Sequence, residues 1–399
     1  MHRICLPLLA CAILSTPAFA ASDTLDMPEG VQCRKTSNDL TLQFKPHAAA
    51  SSSYDIDYQL WGMVLNKTVL FSGASTRRHM KRPKFSAGTR VTYGHKSPYR
   101  LEGNKVVFEK MKAPLKDNLE LLVHEMQAVG HEVDITAMPR DAQLAYWFNL
   151  HNSVMVNELA KAYPVKEPSQ FIPDGYDATL DEAKLITLCG HTLSLRDIRE
   201  KIVYPNWADT PTVIYGFWRG DIGSVNLNTK AFESYNVRQV LAENAREFTN
   251  SFRGYRLLKG KRVISPLYRD DGAAFFNSPQ LVEDHIAYFL RPDLKREFSE
   301  GAPLTYGKPH PTIADMSGGQ VPRYWGTKNS YDTTEYGYAS AGRMQIALQE
   351  NREIQIRQGL VAGKAARGTV TIEDIPTVEF KVNWSIPPVT EVPQDSPEN

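Results

Sequence analysis

The stretch Ala145–Asn152, AYWFNLHN, decides how the rest of the chain is read. It lies within a periodic run from about Arg140 to Tyr163 that predicts a helix ended by Pro164. At roughly 100° per residue, Ala142, Ala145, Asn149, Asn152, Val156 and Ala160 share one stripe, and Leu144, Phe148, His151, Met155 and Leu159 the next. The small residues of the first stripe let another element approach closely, so both asparagines are expected to face a crowded interior. A buried amide needs hydrogen-bond partners. Asn149 and Asn152 are therefore read either as clasps on irregular backbone or as ligand-binding residues that donate to a carbonyl or developing oxyanion. His151 is read as a core histidine, with a catalytic base as the alternative.

Outward from this helix, KVVFEKM (105–111) and RVTYG (90–94) are expected to pair as antiparallel strands, and 115–131 to form a helix burying Leu119, Leu122, Val123 and Met126. On the other side, LSLRDIREKI (193–202) predicts a short helix capped by Ser194. TVIYGFW (212–218) predicts a buried strand, and RGDIGS (219–224) the turn leaving it. Amphipathic helices are expected at 237–252 and 279–290, with the strand RVISP (262–266) between them. The fold class is α+β: a helix-rich main domain over 56–300 with a small antiparallel sheet. An irregular lead (21–55), a C-terminal extension with one helix and a strand (301–385) and a disordered tail (386–399) complete the expected organisation.

The chain opens with Arg3, an apolar run and AFA ending at Ala20, the pattern of a secretory signal peptide too short to span a bilayer. Cleavage near Ala20 would place the mature protein in the periplasm or outside the cell. The full chain carries 46 Lys and Arg against 45 Asp and Glu; losing Arg3 makes the signs balance, which leaves no electrostatic footprint for nucleic acid or anionic lipid. Cys5 and Cys11 leave with the leader, while Cys33 and Cys189 remain and are free to pair in an oxidising compartment.

Several residues carry candidate chemistry. In RGDIGS, Gly220 and Gly223 free the backbone to expose N–H groups, Arg219 offers a cationic fork, Asp221 a carboxylate and Ser224 a hydroxyl. Arg219, Ser224 and the exposed N–H groups suit a carboxylate or phosphate, with Asp221 beside them in the ligand-binding set; the structural alternative is an ordinary turn in which Arg219 pairs with Asp221 or with a helix carboxylate. His191 follows Cys189 in LCGHTLSL and is a second candidate base. His124 and His131 lie seven apart, unlike the one-turn spacing of an HExxH zinc motif, and no metal site or cofactor is expected.

AYWFNLHN, then YPV (163–165), LSLRDI, TVIYGFW and ISPLYRDDGAAF (264–275) follow an order that resembles the domain-of-unknown-function family 547 over roughly 120–295. Typical members resemble HFALxCxxxSCP where this chain reads IYGFWRGDIGSVN. By that resemblance Ile214 stands in place of a His, Arg219 and Ser224 in place of two Cys, and Arg199 in place of a Glu. A Cys–His–Glu set would suit thiol-dependent hydrolysis or transfer, and this chain lacks it. Two expectations follow. The first is a hydrolase or group transferase acting on a small anionic or peptide-like ligand, with Ser224 or a water as nucleophile, His151 or His191 as base, and Arg199, Arg219, Asn149 and Asn152 around the ligand. The second is a non-catalytic binding or scaffold module.

Overall fold

The computed structural model describes residues 33–47, 55–78, 95, 97–299 and 301–319, together with Arg352 and Ile354. Its centre is the predicted helix, Arg140–Ala162, preceded by Pro139 and followed by Tyr163 and Pro164. Both predicted stripes are buried, and so are Tyr146, Trp147, Ser153 and Val154 on the remaining faces. A helix buried on nearly all sides must have elements packed around it. One of these is the helix Ala113–Glu132, which buries Leu119, Leu122, Val123 and Met126 as expected. Gly130 lets the two helices meet, because a Cβ there would lie 2.1 Å from the Tyr146 hydroxyl. That hydroxyl donates to Met126 O at 3.0 Å.

Around this pair lie helices Gln59–Thr68, Val237–Thr249, Pro279–Phe289 and Pro292–Ser299. Ser194 caps Leu195–Asp197 through a capping box with Asp197, and the helix continues through a π-helical stretch, Ile198–Val203, to Tyr204–Asn206. Strands β1 (Val69–Leu70) and β2 (Lys105–Val106) pair antiparallel, as do β3 (Ile186–Leu188) and β4 (His191–Leu193). Strand β6 (Lys261–Ile264) pairs antiparallel with β5 (Tyr255–Leu258) and parallel with β7 (Leu304–Tyr306). The architecture is thus α+β and helix-rich with small sheets, and one apolar cluster runs from Phe44 to Ala314. No described helix is long and apolar enough to cross a membrane.

Two expectations need correction. TVIYGFW is not a strand: Pro211–Tyr215 forms a 3₁₀ helix and the chain then runs on without a strand partner. Its backbone is satisfied by side-chain amides instead. Asn244 Nδ2 donates to Tyr215 O at 2.9 Å, Asn152 Nδ2 to Gly216 O at 2.9 Å, and Trp218 N donates to Asn152 Oδ1 at 3.0 Å. The β-branched and aromatic composition reflected burial and not a ladder. In KVVFEKM only Lys105 and Val106 are strand, and their partner is Val69–Leu70; RVTYG lies outside the described residues, as do the leader, the tail and, apart from Arg352 and Ile354, the helix (342–359) and strand (368–375) expected of the C-terminal extension.

Cys33 and Cys189 are bonded, with Cα atoms 5.2 Å apart. Cys189 and Gly190 form the two-residue turn between β3 and β4, both with positive φ (50° and 73°), the geometry of a tight hairpin.

Candidate functional site

The RGDIGS turn leaves the 3₁₀ segment beside the C-terminal half of the central helix. Gly220 has φ 83°, and a Cβ there would lie 2.7 Å from Leu159 Cδ1 and 2.9 Å from Pro168 Cβ, so glycine is required twice over. Residues 310–314 run alongside the turn: Gly223 N donates to His310 O (3.1 Å), Ile222 N to Thr312 O (2.8 Å) and Ala314 N to Gly220 O (2.8 Å). Between these segments and Asp181 opens a cleft of about 300 Å³. Arg219, Asp221, Ser224, Lys308 and His310 line it, with Met155 from the central helix.

Beneath the cleft lies a buried ionic layer. Arg199, fully buried, donates two parallel hydrogen bonds to Asp181 at 2.6 and 2.7 Å. Arg219 forks onto Asp271, which also accepts from the Tyr204 hydroxyl at 2.8 Å. Arg199 Nε lies 3.9 Å from the same Asp271 carboxylate and so links the two pairs. Burial alone would raise Asp181, but the charge and hydrogen bonds of Arg199 hold its carboxyl well below the usual range.

His151 continues this layer toward the backbone. Arg199 Nη1 donates to His151 Nε2 at 3.1 Å, and His151 Nδ1 donates to Asn152 Oδ1 at 3.1 Å. Burial, reinforced by the Arg199 charge, pushes the imidazole down to about 3, so it is neutral with its proton on Nδ1. A ring held this way orients Asn152 and is poorly placed to take a proton. Asn149 is committed elsewhere: its amide donates to Phe232 O at 2.7 Å and accepts from Phe232 N at 3.1 Å. Both asparagines clasp backbone. Asn152→Ala would strand Gly216 O, Trp218 N and His151 Nδ1, so it should cost roughly 1–3 kcal/mol. An unchanged urea midpoint would remove the clasp from any account of stability.

Ser224 does not meet either histidine candidate. Its hydroxyl donates to Asp221 O at 2.8 Å, with Val225 O at 3.2 Å. His191 sits on β4 against the Phe44 ring and does not line the cleft. The imidazole nearest the turn is His310, pushed down to about 4 by burial and by Arg256 and Arg253. Asp221 is pushed up to about 7 by burial, only partly offset by Arg219 and by the N–H groups of Ser224 and Gly223. The structure thus gathers Arg219, Asp221, Gly223 and Ser224 at the cleft, packs Gly220 of the same turn against Leu159 and Pro168, sets Arg199, His151 and Asn152 beneath, and leaves Asn149 and His191 outside.

Asp181, Asp271, His310 and Lys308 were not legible as site residues. Only Asp271 carried a signal, since it lies in the RDDGAAF segment of the family-like pattern. Among the described residues, no three His, Cys, Asp or Glu converge as a metal site.

No curated protein and no solved structure matches the chain. A family match covers residues 135–249, inside the stretch over which the motif order runs, and includes the central helix, the capping-box helix and the RGDIGS turn. The other wall of the cleft, Ser265–Leu267 and 308–311, lies beyond it. Across 135–249 the chain resembles the family described as "Protein of unknown function, DUF547".

Proposed function

We propose that this chain is an exported binding module that holds a small peptide-like ligand in the cleft and performs no chemistry through Ser224. The observation that carries this reading is the state of the candidate reactive groups. The Ser224 hydroxyl is engaged by backbone carbonyls, and among the described residues no imidazole or carboxylate is hydrogen-bonded to it. At two positions where the family resemblance implies a Glu and a Cys, Arg199 and Arg219 are tied to acids. Nucleophilic catalysis needs a base within hydrogen-bond reach of the nucleophile. Export is supported by the leader-like pattern of residues 1–20 and by the Cys33–Cys189 bond, which suits an oxidising compartment.

One observation favours a hydrolytic reading in which water is the nucleophile. Asp221 lines the cleft with a carboxyl near 7, the range suited to a general base at neutral pH. The two readings separate in one experiment. The protein is incubated with a mixture of short peptides, and bound and free fractions are compared by mass spectrometry. The binding reading expects peptides retained and recovered intact, and no labelling of Ser224 by a fluorophosphonate. Cleavage lost in Asp221→Asn but kept in Ser224→Ala would replace it with the water mechanism. Cleavage lost in Ser224→Ala would restore the serine.

A further inference from the structure

We propose that the cleft recognises a short peptide with both termini free, Asp221 receiving the ammonium and Lys308 with Arg219 the carboxylate. This rests on the binding reading of the cleft given above. The charges lining the cleft fall into two groups. Asp181 is held by Arg199, Arg196 by Glu182, Arg253 by Glu247 and Asp270 by Arg269. These pairs are internally satisfied and offer a ligand little. The second group has no ion-pair partner. Among the described residues, no cation lies within salt-bridge distance of Asp221 and no acid within that distance of Lys308. Arg219 commits Nη2 to Asp271 and keeps its Nε buried, but 30% of its side chain remains exposed.

One cleft therefore holds an acid without an ion-pair partner, an exposed ammonium without one, and a guanidinium that is still partly exposed. A simple anion would satisfy the cations and leave Asp221 unpaired beside it. A simple cation would do the reverse. A zwitterion answers both, because a charge taken out of water is costly unless it is paired. Burial raises the Asp221 carboxyl, and the nearby Arg219 and Arg253 charges oppose that only in part, so an ammonium against it would be favoured.

Part of the remaining wall is apolar and stiff, beside the hydroxyls of Ser169, Thr179 and Ser265. Met155, Leu180 and Leu267 line it with Pro168, Pro266 and Pro309, a surface for an uncharged side chain on a backbone that loses little freedom on binding. A volume of about 300 Å³ is at the small end for ligand pockets and has room for two or three residues.

The test is calorimetric titration of the whole protein with alanyl-leucyl-alanine and its N-acetyl, C-amide and doubly blocked forms. The free tripeptide is expected to bind, with N-acetylation or Asp221→Asn each weakening it about tenfold or more. Combining the two should cost no more than either alone, because both remove one contact. C-amidation and Lys308→Met should behave as a second such pair. Equal affinity for the free and doubly blocked peptides would overturn this inference and leave the binding reading standing. Silence from all four peptides, with cleft residues still shifted in NMR by uncharged fragments, would overturn it in the same way. If peptides and fragments alike left the cleft untouched, the binding reading would fall with it.

Discussion

Asp271→Ala is expected to remove about 3–5 kcal/mol of folding stability, the usual cost of deleting one partner from a buried ion pair. The side chain is 2% exposed and accepts from Arg219 and Tyr204, with Arg199 Nε 3.9 Å away. Without it, the Arg219 guanidinium loses its counter-charge, and Arg199 keeps only Asp181. The Tyr204 hydroxyl, already harder to ionise because of burial and the adjacent carboxylate, is left in a buried site without its acceptor. Urea denaturation reads the loss directly, and a change below about 1 kcal/mol would mean that the layer relaxes or admits water. The compensated variant sharpens the point. Arg219→Met with Asp271→Leu should regain much of the stability, because apolar replacements of a whole buried pair are often neutral or better. Recovery of stability together with loss of peptide binding would separate what Arg219 does for the fold from what it does for the cleft.

This layer also shows where sequence reasoning stopped. The central helix was legible because its apolar spacing is local and Pro164 marks its end. The Asn149 and Asn152 clasps were legible for a related reason: two amides on a small-residue stripe must find partners wherever the helix is buried. Ser194 with Asp197 three residues on predicted the cap that is present. The partners of Arg199 and Arg219 were not legible. Asp181 and Asp271 come from segments 18 and 52 residues away along the chain, and nothing local marks either acid as buried. His310 and Lys308 reach the cleft only because residues 310–314 add hydrogen bonds along the RGDIGS turn. TVIYGFW failed for the opposite reason. Its local signal was strong, but it reported burial, and the backbone partners were the amides of Asn152 and Asn244.

The Cys33–Cys189 bond should contribute about 3–5 kcal/mol, and its loss should leave the cleft intact. The two cysteines are 156 residues apart, and a loop of that length lies at the upper end of the chain-entropy scale, near about 5 kcal/mol. The observed cost should be lower, because a denatured chain is more compact than the random coil that this scale assumes. In the folded state the N-terminal segment is held by more than the disulfide, so it should stay docked when the bond is lost. Cys33 N donates to His131 O at 3.1 Å. Gln43 gathers Arg34 O, Thr36 N and Ser37 N, and Asn206 Nδ2 donates to Thr41 O at 3.1 Å. Phe44 also packs edge-on against Trp147 of the central helix, with ring centroids 5.0 Å apart. Replacing both cysteines by serine, which leaves no free thiol, should lower the denaturant midpoint. Peptide affinity measured well below that midpoint should not change, since neither cysteine lines the cleft. An unchanged midpoint would mean that the unfolded ensemble without the bond is already as restricted as the cross-linked one. A fall in affinity would mean that the β3–β4 hairpin transmits strain through Leu195–Asn206 to Arg199 and Asp181. The serine pair therefore tests whether the disulfide acts only on stability or also on the ionic layer beneath the cleft.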